Sequence, residues 1–197
     1  IFSQKFGNFR VTTILLVGIA INALGGVAIG FFQYLSDDTQ LRTLVFWMMG
    51  SYGRATWITV IPTTIIMSIS ISALIRLAYP LDILQLGEAD AKYLGINVNK
   101  IKRNTILFAA MGVGAGVAVS GIIAFIGLIV PHLVRLLGGA SHRFVLIGSS
   151  LMGATLSIAA DLISRIIIIP AELPLGLVTS ALGAPFFLWL IAKVRPS

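Results

Sequence analysis

No cysteine occurs at any of the 197 positions, which excludes a disulfide framework, thiolate metal sites and thiol catalysis. Charge is scarce too. Asp, Glu, Lys and Arg make up 11% of the chain, against roughly 25% in an ordinary soluble domain, too few to coat a water-exposed surface. The phosphate-binding pattern G-x-x-x-x-G-K-[ST] is missing: the one glycine-rich run, GVGAGVAVSG (residues 112–121), has no lysine and lies in an apolar stretch, so nucleotide hydrolysis is not expected of this chain. Paired carboxylates for acid–base work are also missing, because Asp161 and Glu172 are separated by apolar residues and a turn. What is abundant is apolar surface. The chain is 57% hydrophobic with a mean hydropathy of +1.00, the composition of a membrane protein. Its net charge of +7 comes from basic residues set beside long apolar runs, which speaks for orientation in a membrane rather than for binding nucleic acid.

A helix needs about 20 apolar residues to cross a hydrocarbon core of roughly 30 Å. Val11 to Leu35, Ala55 to Ile75 and Leu173 to Ala192 each supply one such run. Phe144 to Ala160 continues past Asp161 and Arg165 to Ile169 and supplies a fourth. Asn104 to Pro131 has 28 uncharged residues, a helix of about 42 Å if unbroken. Lys100, Lys102 and Arg103 precede it and Arg135 and Arg143 follow it, so the positive-inside bias puts both of its ends in the cytoplasm and requires two crossings. Ser120-Gly121 is the expected break. The second piece, about Phe125 to Leu137, is too short to cross alone and needs shelter from neighbouring protein.

The expectation is an all-α polytopic transmembrane bundle, one domain over residues 1–197, with six crossings, one short broken helix and both ends cytoplasmic. Eleven basic residues then fall inside (Lys5, Arg10, Arg76, Lys92, Lys100, Lys102, Arg103, Arg135, Arg143, Lys193, Arg195) and three outside (Arg42, Arg54, Arg165). Small residues recur every four positions at Gly112, Gly116 and Ser120, a helix-packing face, and at Gly18, Asn22, Gly26 and Gly30, where Asn22 places an amide in mid-span.

Charge gathers in one place, LGEADAKYLGINVNKIKR (residues 86–103), inside a 28-residue cytoplasmic segment from Arg76 to Arg103. Leu86, Ala89, Tyr93 and Leu94 recur at helical spacing, Glu88 stands four before Lys92, and Gly95 supplies a helix stop, so a short amphipathic helix followed by a turn through Ile96 to Lys100 is expected. Resting on anionic lipid would suit Lys100, Lys102 and Arg103. The acids Glu88 and Asp90 favour docking to a soluble protein instead.

LGEADAKYLGINV resembles the coupling segment of FecCD-type permeases, the BtuC-like membrane subunits of ABC importers for iron-siderophores, haem and vitamin B12. The likeness continues through FWMMGSYGRATW (46–57), GIIAFIGLIVPHLVRLLGGASHR (121–143) and AADLISRIIIIPAELPLGLVTSALGAPFFLWL (159–190). Such permeases have about ten spans, and this chain resembles the last six, the C-terminal portion of a longer chain.

The resemblance implies a bacterial inner-membrane location and no catalytic or metal site in this chain. ATP and Mg would be bound by two cytoplasmic ATPase subunits, with a second permease copy (a homodimer) and a periplasmic or lipid-anchored substrate-binding protein as further partners beside membrane lipid. It implies that Leu86, Gly87, Glu88, Ala89, Asp90, Leu94, Gly95 and Ile96 sit in a groove of the ATPase, and that Asn22, Gly26 and Phe46 line the translocation path. Arg165 matches an arginine that meets a glutamate of the binding protein; pairing with Asp161, four residues earlier, is the structural alternative, and both can hold. His132 belongs to the family's Pro-His element whatever the substrate, so neither it nor His142 is expected to ligate haem. GIAINALGG together with FWMMGS looks most like haem permeases, with ferric siderophore the next substrate class. The rival from another class is a secondary transporter or channel that uses Asp161 as an intramembrane ion site.

Overall fold

The computed structural model describes residues 11–168 and 172–194. Lys5, Arg10 and Arg195 of the sidedness argument, and the expected end of the fourth run at Ile169, lie outside them. Among the described residues nine helices follow in order: α1 (Val11–Leu35), α2 (Asp38–Met48), α3 (Trp57–Arg76), α4 (Ala78–Leu84), α5 (Glu88–Tyr93), α6 (Val98–Ser120), α7 (Ile126–Gly138), α8 (His142–Ile166) and α9 (Leu175–Val194). The described residues contain no strand, so the architecture is all-α, as expected. Leu15–Leu35, α3, α6 and α8 are long and apolar enough to cross a membrane, while α7 and the stretch Leu175–Trp189 of α9 are apolar and shorter.

The chain divides into two compact units, residues 1–45 and 46–197. In the first, α1 exposes its small-residue stripe: a methyl group added at Gly18, Gly26 or Gly30 would meet nothing within 4 Å. Asp37 caps α2, its carboxylate accepting from the Gln40 backbone N–H and the Thr39 hydroxyl, both at 2.7 Å. Those bonds, the Gln40 N–H foremost, hold the Asp37 carboxyl below the usual carboxylate range.

The second unit packs through small residues. Ser70 of α3 is buried against Gly112 of α6, where an added methyl would lie 3.3 Å from the Ser70 Cβ, and Met67 reaches Gly116 one turn on. The stripe at Gly112, Gly116 and Ser120 is therefore a helix-packing face, the close approach that replaces the hydrophobic effect between helices in lipid. Packing of α7 on α8 follows the same rule, with Gly148 under Val134 and Gly138 under the Phe144 ring.

The break falls at Ser120-Gly121. Gly121 has φ +69° and is buried, and a side chain there would overlap the Trp47 carbonyl oxygen. The Gly121 N–H still donates to the Val117 carbonyl at 2.9 Å, but residues 122–124 run without helical bonds, so their neighbourhood must be satisfied by other parts of the protein. The Ser51 N–H donates to the Ser120 carbonyl at 2.8 Å, the Leu175 N–H to Gly50 at 2.9 Å, and the Gly176 N–H to Met49 at 2.8 Å. Three chain segments thus complete one another: the α2–α3 loop, the end of α6 and the start of α9. Gly50, at φ +77°, permits the fit, since a methyl there would press within 2.8 Å of the Ile122 oxygen. Ala160, Leu175 and Val178 form the buried cluster beside this junction, with Tyr52, Ile123, Ile163 and Leu173 packed on it.

Replacing Gly121 by Ala should therefore destabilise the fold, by about 1–3 kcal/mol from the left-handed backbone alone and more from the overlap with Trp47. A lower midpoint of thermal unfolding in detergent would register it; Gly114→Ala, where nothing lies within 4 Å, should leave the midpoint near that of the wild type.

Candidate functional site

The two ends of α6, a helix of 23 residues, carry the polar features of the second unit. At the Val98 end, the segment expected to be one amphipathic helix and a turn is built differently. It contains two short helices, α4 and α5, and Leu86 and Gly87 precede α5 instead of opening it. Glu88 does not rely on Lys92. Its carboxylate is bonded to Lys102 of α6, which ties α5 to the start of the long helix and holds the Glu88 carboxyl below its usual range. The expected turn at Ile96–Lys100 is the first turn of α6 itself, capped by Asn97, whose side chain accepts from the Lys100 N–H at 3.1 Å.

Gly95 does stop the helix. At φ +79° it lets the Ile96 N–H reach the Ala91 carbonyl and its own N–H reach Lys92, both at 3.0 Å, the paired bonds of a Schellman motif. Ala91 and Val98 are fully buried beneath it and Ile96 half-buried. The opposite face is open: Leu86 is 67% exposed, Leu94 62% and Tyr93 91%, with Ala89 and Asp90 exposed beside them.

A second tie was invisible in the sequence. Asp82 of α4 accepts from the His142 backbone N–H at 2.8 Å and lies 2.8 Å from the His142 Nδ1. His142 is the first residue of α8, so the carboxylate caps that helix from sixty residues away, where the helix dipole favours an anion. Gln85 joins the pair from α4's end, its Nε2 2.9 Å from the His142 Nδ1 and donating to the Asp82 Oδ1 at 3.3 Å. No local motif could have announced the contact, because each partner is an ordinary polar residue in its own stretch.

At the Ser120 end lies a cavity of about 290 Å³ lined by Phe46, Trp47, Ser51, Gly53, Arg54, Val119, Ser120, Arg165, Glu172, Leu173 and Pro174. Arg165 Nε lies 2.8 Å from Asp161 Oδ2 and Nη2 3.4 Å from Oδ1, the intrahelical pair. Glu172 adds a contact of 3.6 Å to Nη1. The separation of Asp161 from Glu172 inferred from the sequence is thus overturned: the Leu173 N–H bonds back to the Ser164 carbonyl at 3.1 Å, and that return brings both acids to one arginine. Of the expected path residues, Phe46 lines this cavity, whereas Asn22 and Gly26 lie exposed on α1 in the first unit. Among the described residues no group of three His, Cys, Asp or Glu side chains converges as a metal site would.

Apolar helices of membrane length, a broken helix sheltered within them and a firmly tied polar cap define a polytopic all-α membrane protein. The chain belongs to the FecCD transport family, whose pattern matches residues 1–193. It is 48% identical over 193 residues to the hemin transport system permease protein of Yersinia pestis, covering 98% of this chain and 58% of that one. To the vitamin B12 import system permease protein of Vibrio cholerae it is 42% identical over 190 residues, covering 95% and 57%. A solved structure of a metal-chelate type ABC transporter in an inward-facing conformation superposes with a TM-score of 0.90 at 32% identity, covering 98% of this chain and 62% of the other. The chain therefore spans somewhat more than half the length of the relatives it matches.

The Asp82 contact makes a pH prediction. The His142 backbone N–H, first among its causes, lowers the Asp82 carboxyl from its ordinary value, so the folded state holds the ionised form more tightly than the unfolded one. Its contribution is complete above the ordinary carboxylate pKa and is lost as pH falls through the lower folded value. Asp82→Asn should thus unfold at a lower temperature than the wild type at neutral pH, and the gap should narrow on acidification below about pH 4.

Proposed function

We propose that this chain is the membrane-spanning part of an ABC importer permease for haem or ferric siderophore, in a bacterial inner membrane with both ends cytoplasmic. It forms the translocation path with a second permease copy, is driven by two cytoplasmic ATPase subunits that bind ATP and Mg, and receives substrate from a periplasmic or lipid-anchored binding protein. Family membership and the two permease relatives support this, and the similarity to the hemin permease favours haem over the alternatives.

The observation that carries the reading is the cap on the Val98 end. A helix of six residues has no stability of its own, yet α5 is held at both ends, by Glu88 to Lys102 and by the Gly95 motif over buried Ala91. What it presents outward is apolar: Leu86, Tyr93 and Leu94. Exposed apolar side chains on a rigid polar cap suit a protein groove, with Glu88 and Asp90 selecting a basic rim. Because α4 is tied to α8 and α5 to α6, force applied to the cap passes into two long helices.

Arg165 fits the docking role for the binding protein by lining the open cavity at the opposite end, while its pair with Asp161 keeps it in place. The rival role of Asp161 as an ion site is not favoured, since both of its oxygens face Arg165.

In the full-length transporter in vesicles, Leu94→Asp should reduce ATP-driven uptake about tenfold or more, the loss expected for an interface anchor, while leaving the unstimulated ATPase rate intact. Unchanged coupling of hydrolysis to uptake would refute the cap's role. Parallel uptake of haem, ferric siderophore and cobalamin should show haem transported fastest.

A further inference from the structure

The short helix after the break is gripped by a different neighbour at each end. Its later part lies on α8: Val134 is buried over Gly148, and the Phe144 ring covers Gly138. Its first turn is keyed to α9 instead. Gly183 of α9 is buried, and a methyl there would lie 2.5 Å from the Phe125 Cβ and 3.0 Å from the Ile129 Cδ1, so the missing side chain is a notch that Phe125 and Ile129 fill.

Between the two grips the helix is weak. Pro131 stands inside α7 and has no N–H to donate to the Gly127 carbonyl, four residues back. Gly127 is exposed, with nothing within 4 Å of where a side chain would begin, so no packing stiffens that turn from outside. Just ahead, Phe125 takes φ +66° and ψ −31°, the only positive φ outside glycine among the described residues. The Ile126 N–H bonds across it to the Ala124 carbonyl at 2.9 Å, which closes a γ-turn of the rare, strained hand. A bulky residue keeps such a conformation only where its surroundings impose it, and here the Gly183 notch does so.

We propose that α7 is a jointed link: the part after Pro131 moves with α8, the first turn stays with α9, and the joint over residues 127–131 bends in the transport cycle as the Phe125 turn relaxes. The bending in transport rests on the importer reading above. The start of α8 takes its position from the cap, through the Asp82 carboxylate on the His142 N–H, whereas the start of α9 takes its position from the α2–α3 loop, through Gly50 and Met49. A shift of the cap therefore displaces α8 against α9, the two helices that α7 spans. A helix with every bond made would resist that displacement; one that lacks a bond between its two grips gives way there. Strain at Phe125 acts in the same direction, because the turn relaxes as the joint bends.

The test compares the full-length permease–ATPase complex in nanodiscs with its Pro131→Ala variant, which restores the missing N–H. Hydrogen exchange of the amides over residues 126–130 should slow about three- to tenfold. The midpoint of thermal unfolding should hold or rise, since proline disfavours a helix interior. In vesicles, ATP-driven uptake by the variant should fall about three- to tenfold. A proline with only a structural role would not slow transport when its replacement stiffens the helix. Uptake at the wild-type rate, or unchanged exchange over residues 126–130, in a folded Pro131→Ala variant overturns the joint and leaves the importer reading standing. Should that variant fold poorly, Gly127→Ala decides, since its methyl has open space and stiffens the same turn; wild-type uptake there overturns the proposal equally. A wild-type complex that moves neither haem, ferric siderophore nor cobalamin overturns the importer reading, and the exchange measurement then decides by itself whether α7 is jointed.

Discussion

Every backbone N–H and C=O inside a bilayer must find its partner within the protein, and the arrangement of this chain depends on how one interruption meets that demand. The helix expected from 28 uncharged residues stops at Ser120, and lipid offers nothing to the groups set free. The α2–α3 loop offers it instead, its Ser51 N–H donating to the Ser120 carbonyl, and the same loop accepts from the start of α9 at Gly50 and Met49. Glycine at 50 and 121 allows the approach, because both residues take a left-handed backbone where no side chain has room. Once those three segments are joined, α7 is set against α8, and the ends of α6 and α8 and the turn before α9 are brought around one cavity.

Scarce charge is placed where it ties elements together. Asp82 holds α4 to α8, Glu88 holds α5 to α6, and Arg165 gathers two acids at the far end. These contacts lie near helix ends, partly in water, where each contributes modestly to stability. Their larger effect is geometric. A cap made of helices of seven and six residues could not stay formed alone, and two ties turn it into a firm surface with Leu86, Tyr93 and Leu94 outward.

Hydropathy and basic flanks were enough to place the long helices, the break at Ser120-Gly121 and the shortness of the piece after it, because crossing length and the cost of bare backbone are properties of a segment. The glycine stop at Gly95 was legible for the same local reason. The partner of Glu88 was not: Lys92 stands at the favourable spacing, but Lys102 is nearer in space once α6 begins at Val98. Asp82 with His142, and Glu172 with Arg165, were hidden by the same kind of fact, since nothing within either stretch marks a neighbour that folding supplies. The likeness carried by four separated motifs reached the family, and the match over residues 1–193 agrees with it.

The sequence by itself determined an all-α membrane bundle, its interrupted helix and the concentration of charge over residues 86–103, since each follows from the solvation of a continuous segment. Only the tertiary structure decided that Glu88 meets Lys102 and Asp82 meets His142, that Glu172 joins Asp161 at Arg165, and that Arg54 shares their cavity. Those are relations between distant stretches, settled where the turn after α8 returns to Ser164 and the loop before α3 locks onto α6.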